Sequence, residues 1–491
     1  MIIDILHSLA RYLPEVKAPE VPPSTKDRLI WTFGALVLFF MMYETTAFGV
    51  ATKTSGVDFL QTITASRIGS LLTAGIGPIV LASIFLQLFV GAGILNLNLK
   101  EKKDKQKFLE TQKILAIILA LVEGIIFVVF SRVPLAEVAG LDPSFVMAAV
   151  IAQIALGSVA ILYLDELVTK YGIGSGISLF IAAGVSFAVI TGLVSLIIGS
   201  GGVVSIMAEG GAESLANSLL VLLPFLFTIL VFLAVVYAES VKVEIPIAFE
   251  RIRGMVPKLP LKFFYVSNIP VIFASALIIN VQLFAGAALV EQYWNKSTGE
   301  SINDVLTNGY SMEKNGILPM IAYVDTTGQL RDGFLYLLTP VYGAGRSTSE
   351  HWNFVTNTTT PIFKIPEYIH ALIYILVLSG ISVLFGLFWV EISNMDAKSV
   401  AGQLSDSGIQ IPGFRRDPRM LEQILNKHIF PLTVMGSFAV GLLAGLADLT
   451  GALGTGTGIL LSVGILHKMY EQLEQMQAFE LYPTLGKIFG D

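Results

Sequence analysis

Few side chains in this chain stand at spacings that support chemistry. The five His residues, His7, His351, His370, His428 and His467, lie far apart and have no metal-ligand spacing. Cys is absent, which excludes disulfides, thiolate metal sites and Cys nucleophiles. There is no G-x-S-x-G, no H-E-x-x-H and no Walker lysine. Gly172, Gly174 and Gly176 in YGIGSGISLF are spaced like a phosphate loop, but they open a hydrophobic segment with no strand before it. Gly451, Gly454, Gly456 and Gly458 in TGALGTGTGILL also open one. In an apolar setting, small residues serve close helix approach. Acidic groups inside apolar runs are few: Glu44, Glu123 and Glu391. A proton- or ion-coupled carrier usually carries more of them at mid-membrane. The expectation is a protein with no enzyme activity, no cofactor and no metal.

The stretch with the most unusual pattern is residues 56–95. Its first part places Val57, Phe59, Leu60, Ile63, Ile68, Leu71 and Leu72 among Asp58, Gln61, Thr62, Thr64, Ser66 and Arg67. It breaks at Gly75, Gly77 and Pro78 and resumes as an apolar run to Ile94. Pro removes a helix hydrogen bond and Gly tolerates unusual dihedrals. Only the second part is apolar enough to face lipid; the polar first part must be buried in protein or wet. Two readings fit: a pathway through the protein beside a half-span, or a kinked helix packed in a bundle.

The elements that would hold these residues are membrane spans. Of the 491 residues 54% are hydrophobic and 14% charged, against roughly 25% charged in soluble domains. Apolar runs of spanning length lie at 29–49, the broken 56–95, 114–133, 145–168, 175–199, 216–238, 266–290, 368–390, 428–447 and 452–470. The N-terminus is no signal peptide, because the first apolar run of helix length begins near Leu29 with no cleavage pattern after it. Residues 2–13 are amphipathic, either lying on the membrane surface or packed on the protein. Pro14, Pro19, Pro22 and Pro23 then make an extended linker.

Net charge is −6, but the basic residues are unevenly placed. Arg11, Lys17, Lys26 and Arg28 precede the first span, and six Lys lie between Lys100 and Lys113. The loop after the sixth span holds Lys242, Arg251, Arg253, Lys258 and Lys262; the loop after the eighth holds Lys398, Arg415, Arg416, Arg419 and Lys427. Residues 200–215 have no Lys or Arg. Positive-inside logic puts both termini in the cytosol and the long loop 291–367 outside. That loop contains sequons at Asn295 and Asn357.

Several stretches together resemble the SecY family, the channel subunit of the Sec protein translocon, in its archaeal and eukaryotic branch. They are QTITASRIG (61–69), GIGPIV (75–80), YAESVKVEIPIAFERIRG (237–254), VSNIPVIFASALIINVQL (266–283), FWVEIS (388–393), PLTVMGS (431–437) and GALGTGTGILL (451–461). The resemblance covers nearly the whole chain except parts of the 291–367 loop, which is longer than typical. It implies an all-α polytopic membrane protein: ten transmembrane helices in two pseudo-symmetric halves of five, a half-helix plug and a long external loop. Residues 1–28 would be a cytosolic amphipathic helix and linker, 29–199 the first half, with its plug at 57–72, and 200–215 an external hinge loop. The second half would run over 216–473, with cytosolic loops at 239–265 and 391–427, and 474–491 would be a cytosolic tail. The two halves are not visibly similar in sequence.

Carried over by residue, the resemblance implies an hourglass pore whose waist is Ile76, Val80, Ile177, Ile181, Ile272 and Leu461. Such aliphatic side chains exclude water and flex around a passing chain. The plug is Val57, Asp58, Phe59, Leu60, Gln61, Thr62, Ile63, Thr64, Ala65, Ser66, Arg67 and Ile68. The second and seventh spans resemble a lateral gate, with Glu123 and Asn280 matching its polar cluster and Leu81 standing where archaeal relatives have Thr. Arg251, Arg253, Lys258, Lys262, Arg415, Arg416 and Arg419 would meet ribosomal RNA phosphates. The implied partners are SecE/gamma, the beta subunit, the ribosome, signal sequences with nascent polypeptides, and membrane lipid. A secondary transporter of a small solute and a poreless scaffold or insertase are the competing readings. A carrier would gather polar groups at mid-membrane, and a scaffold needs no plug.

Overall fold

The computed structural model describes residues 13–481 except 22, 52–58, 92, 96, 98–100, 130–132, 137, 139, 200, 211–213, 247, 250–257, 298–319, 325–329, 342–347, 407–408 and 411–417. Each expected span contains helix among its described residues, although 56–95 is helical only at Phe59–Ile63 and Gly77–Gly91. The helices of the first half are α1 Thr25–Glu44, α2 Phe59–Ile63, α3 Gly77–Gly91, α4 Lys102–Val129, α5 Pro143–Tyr171 and α6 Gly176–Ile198. After the short α7 Val203–Glu209 come α8 Ser214–Val221, α9 Leu223–Ser240 and α10 Ile269–Ser297. Then follow α11 Thr348–Asn357, α12 Glu367–Ile392, α13 Ala397–Asp406, α14 Pro418–Leu449 and α15 Gly456–Leu481. By length and apolar composition alone, six helical stretches among the described residues are able to cross a membrane, and Gly77–Gly91 and Ile269–Phe284 are shorter apolar helices. The sixth span is two helices, because Pro224 starts a new one directly after Leu222.

The expected half-span after residue 56 is helical only over Phe59–Ile63. Beyond it Ala65, Gly69 and Gly75 all take positive φ, which a right-handed helix cannot accommodate. Polar side chains stabilise the turns instead: Thr64 and Ser66 hydroxyls lie 2.7 Å apart, and the Ser70 and Thr73 hydroxyls donate to the carbonyls of Arg67 and Ser70. This folded-back segment packs tightly on its surroundings. A Cβ at Gly157 of α5 would lie 1.9 Å from the Leu71 carbonyl oxygen.

Two loops carry short sheets. Strands β1 Lys242–Pro246 and β3 Lys258–Lys262 pair antiparallel, with Lys242 opposite Lys262. Strand β2 Ala248–Phe249 pairs with β6 Ile409–Gln410, which joins the loop after α9 to the loop after α12. Tyr265 makes a second link between them, donating to the Met395 carbonyl at 2.8 Å. Burial, with the nearby Asp396 charge, pushes the Tyr265 phenol up to about 12, so it remains a donor at any ordinary pH. In the long loop before α12, β4 Tyr323–Val324 pairs with β5 Leu330–Asp332. The buried Asp332 carboxylate accepts from Gly333, Ile362 and Phe363 N–H groups, tying that hairpin to the approach to α12.

Candidate functional site

Six aliphatic residues expected to share a ring come from four helices, and each lies within two turns of a helix start. Ile76 immediately precedes α3 and Val80 is in its first turn; Ile177 and Ile181 open α6, Ile272 opens α10, and Leu461 is in the second turn of α15. Five of them belong to one buried apolar cluster, and the half-buried Ile177 packs against it. None of these side chains carries a polar atom, as a water-excluding ring would require.

The segment expected to stopper this ring rests directly on it. The Ile76 N–H donates to the Thr64 carbonyl at 2.9 Å, so a ring residue is hydrogen-bonded to the stopper's backbone. Helix α2 packs against α6, α10 and α15, three of the ring-bearing helices. Two glycines form its seat. A Cβ at Gly458 of α15 would stand 2.7 Å from Thr62 Cγ2, and a Cβ at Gly184 of α6 would stand 3.7 Å from Ala65 Cβ. Ile63 pairs with Ile279 of α10. Gln61, Thr62, Thr64, Ala65, Ser66 and Ile68 are buried, while Arg67 is half-buried. Arg67 makes an ion pair with Glu44 at the end of α1 and lies over the Tyr43 ring, 5.6 Å from its centroid. Phe59 and Leu60 begin α2, whereas Val57 and Asp58 lie outside the described residues.

The three residues matched to a lateral gate are all buried: Leu81 at 1%, Glu123 at 2% and Asn280 at 3% exposure. No hydrogen bond joins them. Asn280 Nδ2 donates to the Ala276 carbonyl of its own helix at 2.8 Å. Glu123 Oε1 has no partner, and Oε2 lies 3.0 Å from where a Gly77 Cβ would stand, at the start of α3. A Leu at 81 has no group with which to bridge the other two.

Of the seven basic residues proposed for phosphate contact, Arg251, Arg253, Arg415 and Arg416 lie outside the described residues. Lys258 starts β3, and Arg419 is exposed in the first turn of α14. Lys262 is engaged within the protein, with Nζ 2.7 Å from both Glu471 oxygens on α15. The two glycine seats were not singled out as such in the sequence, although Gly458 falls in the small-residue run that suggested close approach. Among the described residues no cluster of His, Asp and Glu is arranged to hold a metal ion.

A many-helix membrane protein with a short polar segment buried among its helices, hydrogen-bonded beside one of their starts, has the architecture expected of a gated membrane channel. The SecY family matches residues 70–470, and the chain belongs to that family. It is 39% identical to the protein translocase subunit SecY of Methanocaldococcus jannaschii, over 97% of this chain and 98% of that one. It is 36% identical to the Pyrococcus furiosus subunit, over 99% of each. A solved structure described as a protein-conducting channel superposes with TM-score 0.77 at 39% identity, covering 98% of this chain and 99% of that one. Sec61 in the canine ribosome–channel complex of the endoplasmic reticulum gives 0.74 at 38%, with the same coverage.

Proposed function

We propose that this chain is the protein-conducting channel of a Sec translocon. It passes unfolded polypeptides across the membrane and releases apolar segments sideways into lipid, driven by a partner such as the ribosome. What supports this reading is a polar segment packed against α6, α10 and α15, with a backbone hydrogen bond from the Ile76 N–H to the Thr64 carbonyl. A solute carrier would place polar groups where this chain places Ile76, Val80, Ile177, Ile181, Ile272 and Leu461. Segment 57–68 is the plug and those six residues are the seal around the translocating chain. The domain limits stated from the sequence apply: a first half at 29–199, a second at 216–473 and a hinge loop between them.

Sideways release follows from transfer energetics. Each Leu, Ile, Phe or Val at mid-membrane favours exit by about 0.3–0.6 kcal/mol, and each charge opposes it by about 2.5–3.5 kcal/mol. Leu81, Glu123 and Asn280 lie along that exit. SecE/gamma and beta subunits are the expected small membrane partners, the cell membrane the expected site and the cytosol the side of both termini. Arg251, Arg253, Lys258, Arg415, Arg416 and Arg419 face ribosomal RNA, while the Glu471 pairing of Lys262 favours a structural role for that residue.

The test is electrical. Deleting residues 57–68 from the assembled complex in a planar bilayer is expected to raise ion conductance through the resting channel. Saturable uptake of a small solute, with conductance unchanged by the deletion, would replace the channel reading with the carrier.

A further inference from the structure

Asn268 is used in a way its position does not suggest. It immediately precedes α10, where an Asn ordinarily turns its side-chain oxygen onto the first N–H groups of the helix. Here Oδ1 is buried with no partner. The amide reaches across to α15 instead: Nδ2 donates to the Leu460 carbonyl at 3.1 Å and lies 3.5 Å from that of Leu461. Gly464 permits this approach, because a Cβ there would stand 1.8 Å from Nδ2. The preceding Ser267 takes φ 57°, a left-handed corner uncommon for Ser, which turns Asn268 inward. The Asn268 carbonyl meanwhile accepts from the Ile272 N–H at 3.2 Å. One buried residue thus bonds the backbone of ring member Ile272 and the α15 turn that carries ring member Leu461.

We propose that Asn268 is a positioning residue that sets the separation of α10 and α15 at the ring, and that its hold is releasable. The proposal rests on the channel reading above. Release follows from what the closed arrangement leaves unsatisfied. Besides Asn268 Oδ1, Glu239 Oε1 at the end of α9 is buried and accepts no hydrogen bond, 3.0 Å from the same virtual Cβ of Gly464. Buried acceptors without donors disfavour the state that buries them. Moving α10 away from α15 admits water to both. The amide bonds hold the ring helices together, and the two idle acceptors keep that closure from being permanent.

Two variants attack the contact from opposite sides. Asn268→Leu keeps the approximate volume and removes the donor; Gly464→Ala leaves Asn268 intact and displaces its amide from α15. In planar bilayers containing the full complex, both are expected to raise resting conductance several-fold and to pass a secretory substrate that lacks its signal sequence. Leu466→Ala, at an exposed position of the same helix, is expected to leave both readouts at wild type. Where Asn268→Leu lowers the yield of assembled complex, Asn268→Ser replaces it, since Ser is polar but too short to reach α15. Leu461→Ser tests the underlying channel reading separately, because an unchanged conductance there would mean that the ring is not the barrier. If Leu461→Ser raises conductance while the Asn268 and Gly464 variants assemble and stay at wild type, the positioning role is overturned.

Discussion

At the scale of single residues, the three residues proposed for the gate differ from the polar cluster that the family resemblance implied. With Leu at 81 and Asn280 bonded to its own helix, Glu123 is left with a buried, unpartnered carboxylate oxygen. Replacing Asn280 by Leu removes an amide that lipid solvates poorly once the gate parts. The expected result is a lower hydrophobicity threshold for membrane insertion, by about 0.5 kcal/mol, the value of one added Leu. Inserted and translocated fractions of segments with graded Leu content would measure it, and an unmoved midpoint would remove Asn280 from the gate. Residues of this kind were legible because each is a polar group in an apolar run. Asn268 was not, since an Asn before a helix reads as an ordinary cap and only the location of its amide reveals otherwise. Gly184 was hidden for a related reason: in an apolar helix a Gly reads as a helix-packing position, and nothing local says that a loop rests on it.

At the scale of elements, the stopper's polarity was legible and its conformation was not. Alternating apolar and polar residues from Val57 to Leu72 suggested a half-helix, yet Thr64, Ser66, Ser70 and Thr73 bond locally and stabilise turns that end the helix at Ile63. The outcome is a compact knot small enough to sit between α6 and α15. Its contact with α6 allows a direct test, because the chain contains no Cys. The Cβ separation of 3.7 Å between Ala65 and a side chain built at Gly184 suits a disulfide. The Ala65→Cys/Gly184→Cys pair is expected to block translocation when oxidised and to recover on reduction, while each single variant stays active. Full transport by the oxidised pair would mean that the segment need not move. The hairpin β1–β3 has its own tie to the bundle through Lys262 and Glu471. Burial raises the Glu471 carboxyl, but the Lys262 hydrogen bond and charge outweigh it, so the net shift is below the usual Glu range. Its contribution to stability is therefore present above that range and lost as pH falls through the lowered folded value. Amide protection in residues 258–262, taken relative to the intrinsic exchange rate at each pH, is expected to fall on acidification, and Glu471→Gln is expected to remove most of that response.

At the scale of the whole molecule, the distribution of charge and the fold agree. The loops 239–265 and 391–427, expected to be cytosolic from their basic residues, are the two that the β2–β6 pairing joins. In sequence Arg251 and Arg253 come within four residues of β2, and Arg415 and Arg416 within six of β6; all four lie outside the described residues. Positive-inside topology explains basic residues on that side, but not why two distant loops should be joined there. The proposed contact with ribosomal RNA would account for both. Phosphate contacts release counterions, so each lost contact flattens the dependence of affinity on salt by about 0.7–0.9 in log–log slope. Arg253→Gln with Arg415→Gln is expected to weaken ribosome binding at moderate salt and to make that slope shallower by about 1.5, with span insertion and thermal stability of the complex unchanged. Titration of ribosomes onto the reconstituted complex across a salt series measures both quantities. A parallel slope with unaltered affinity would return these arginines to topology alone and leave the joined loops without a polyanionic partner.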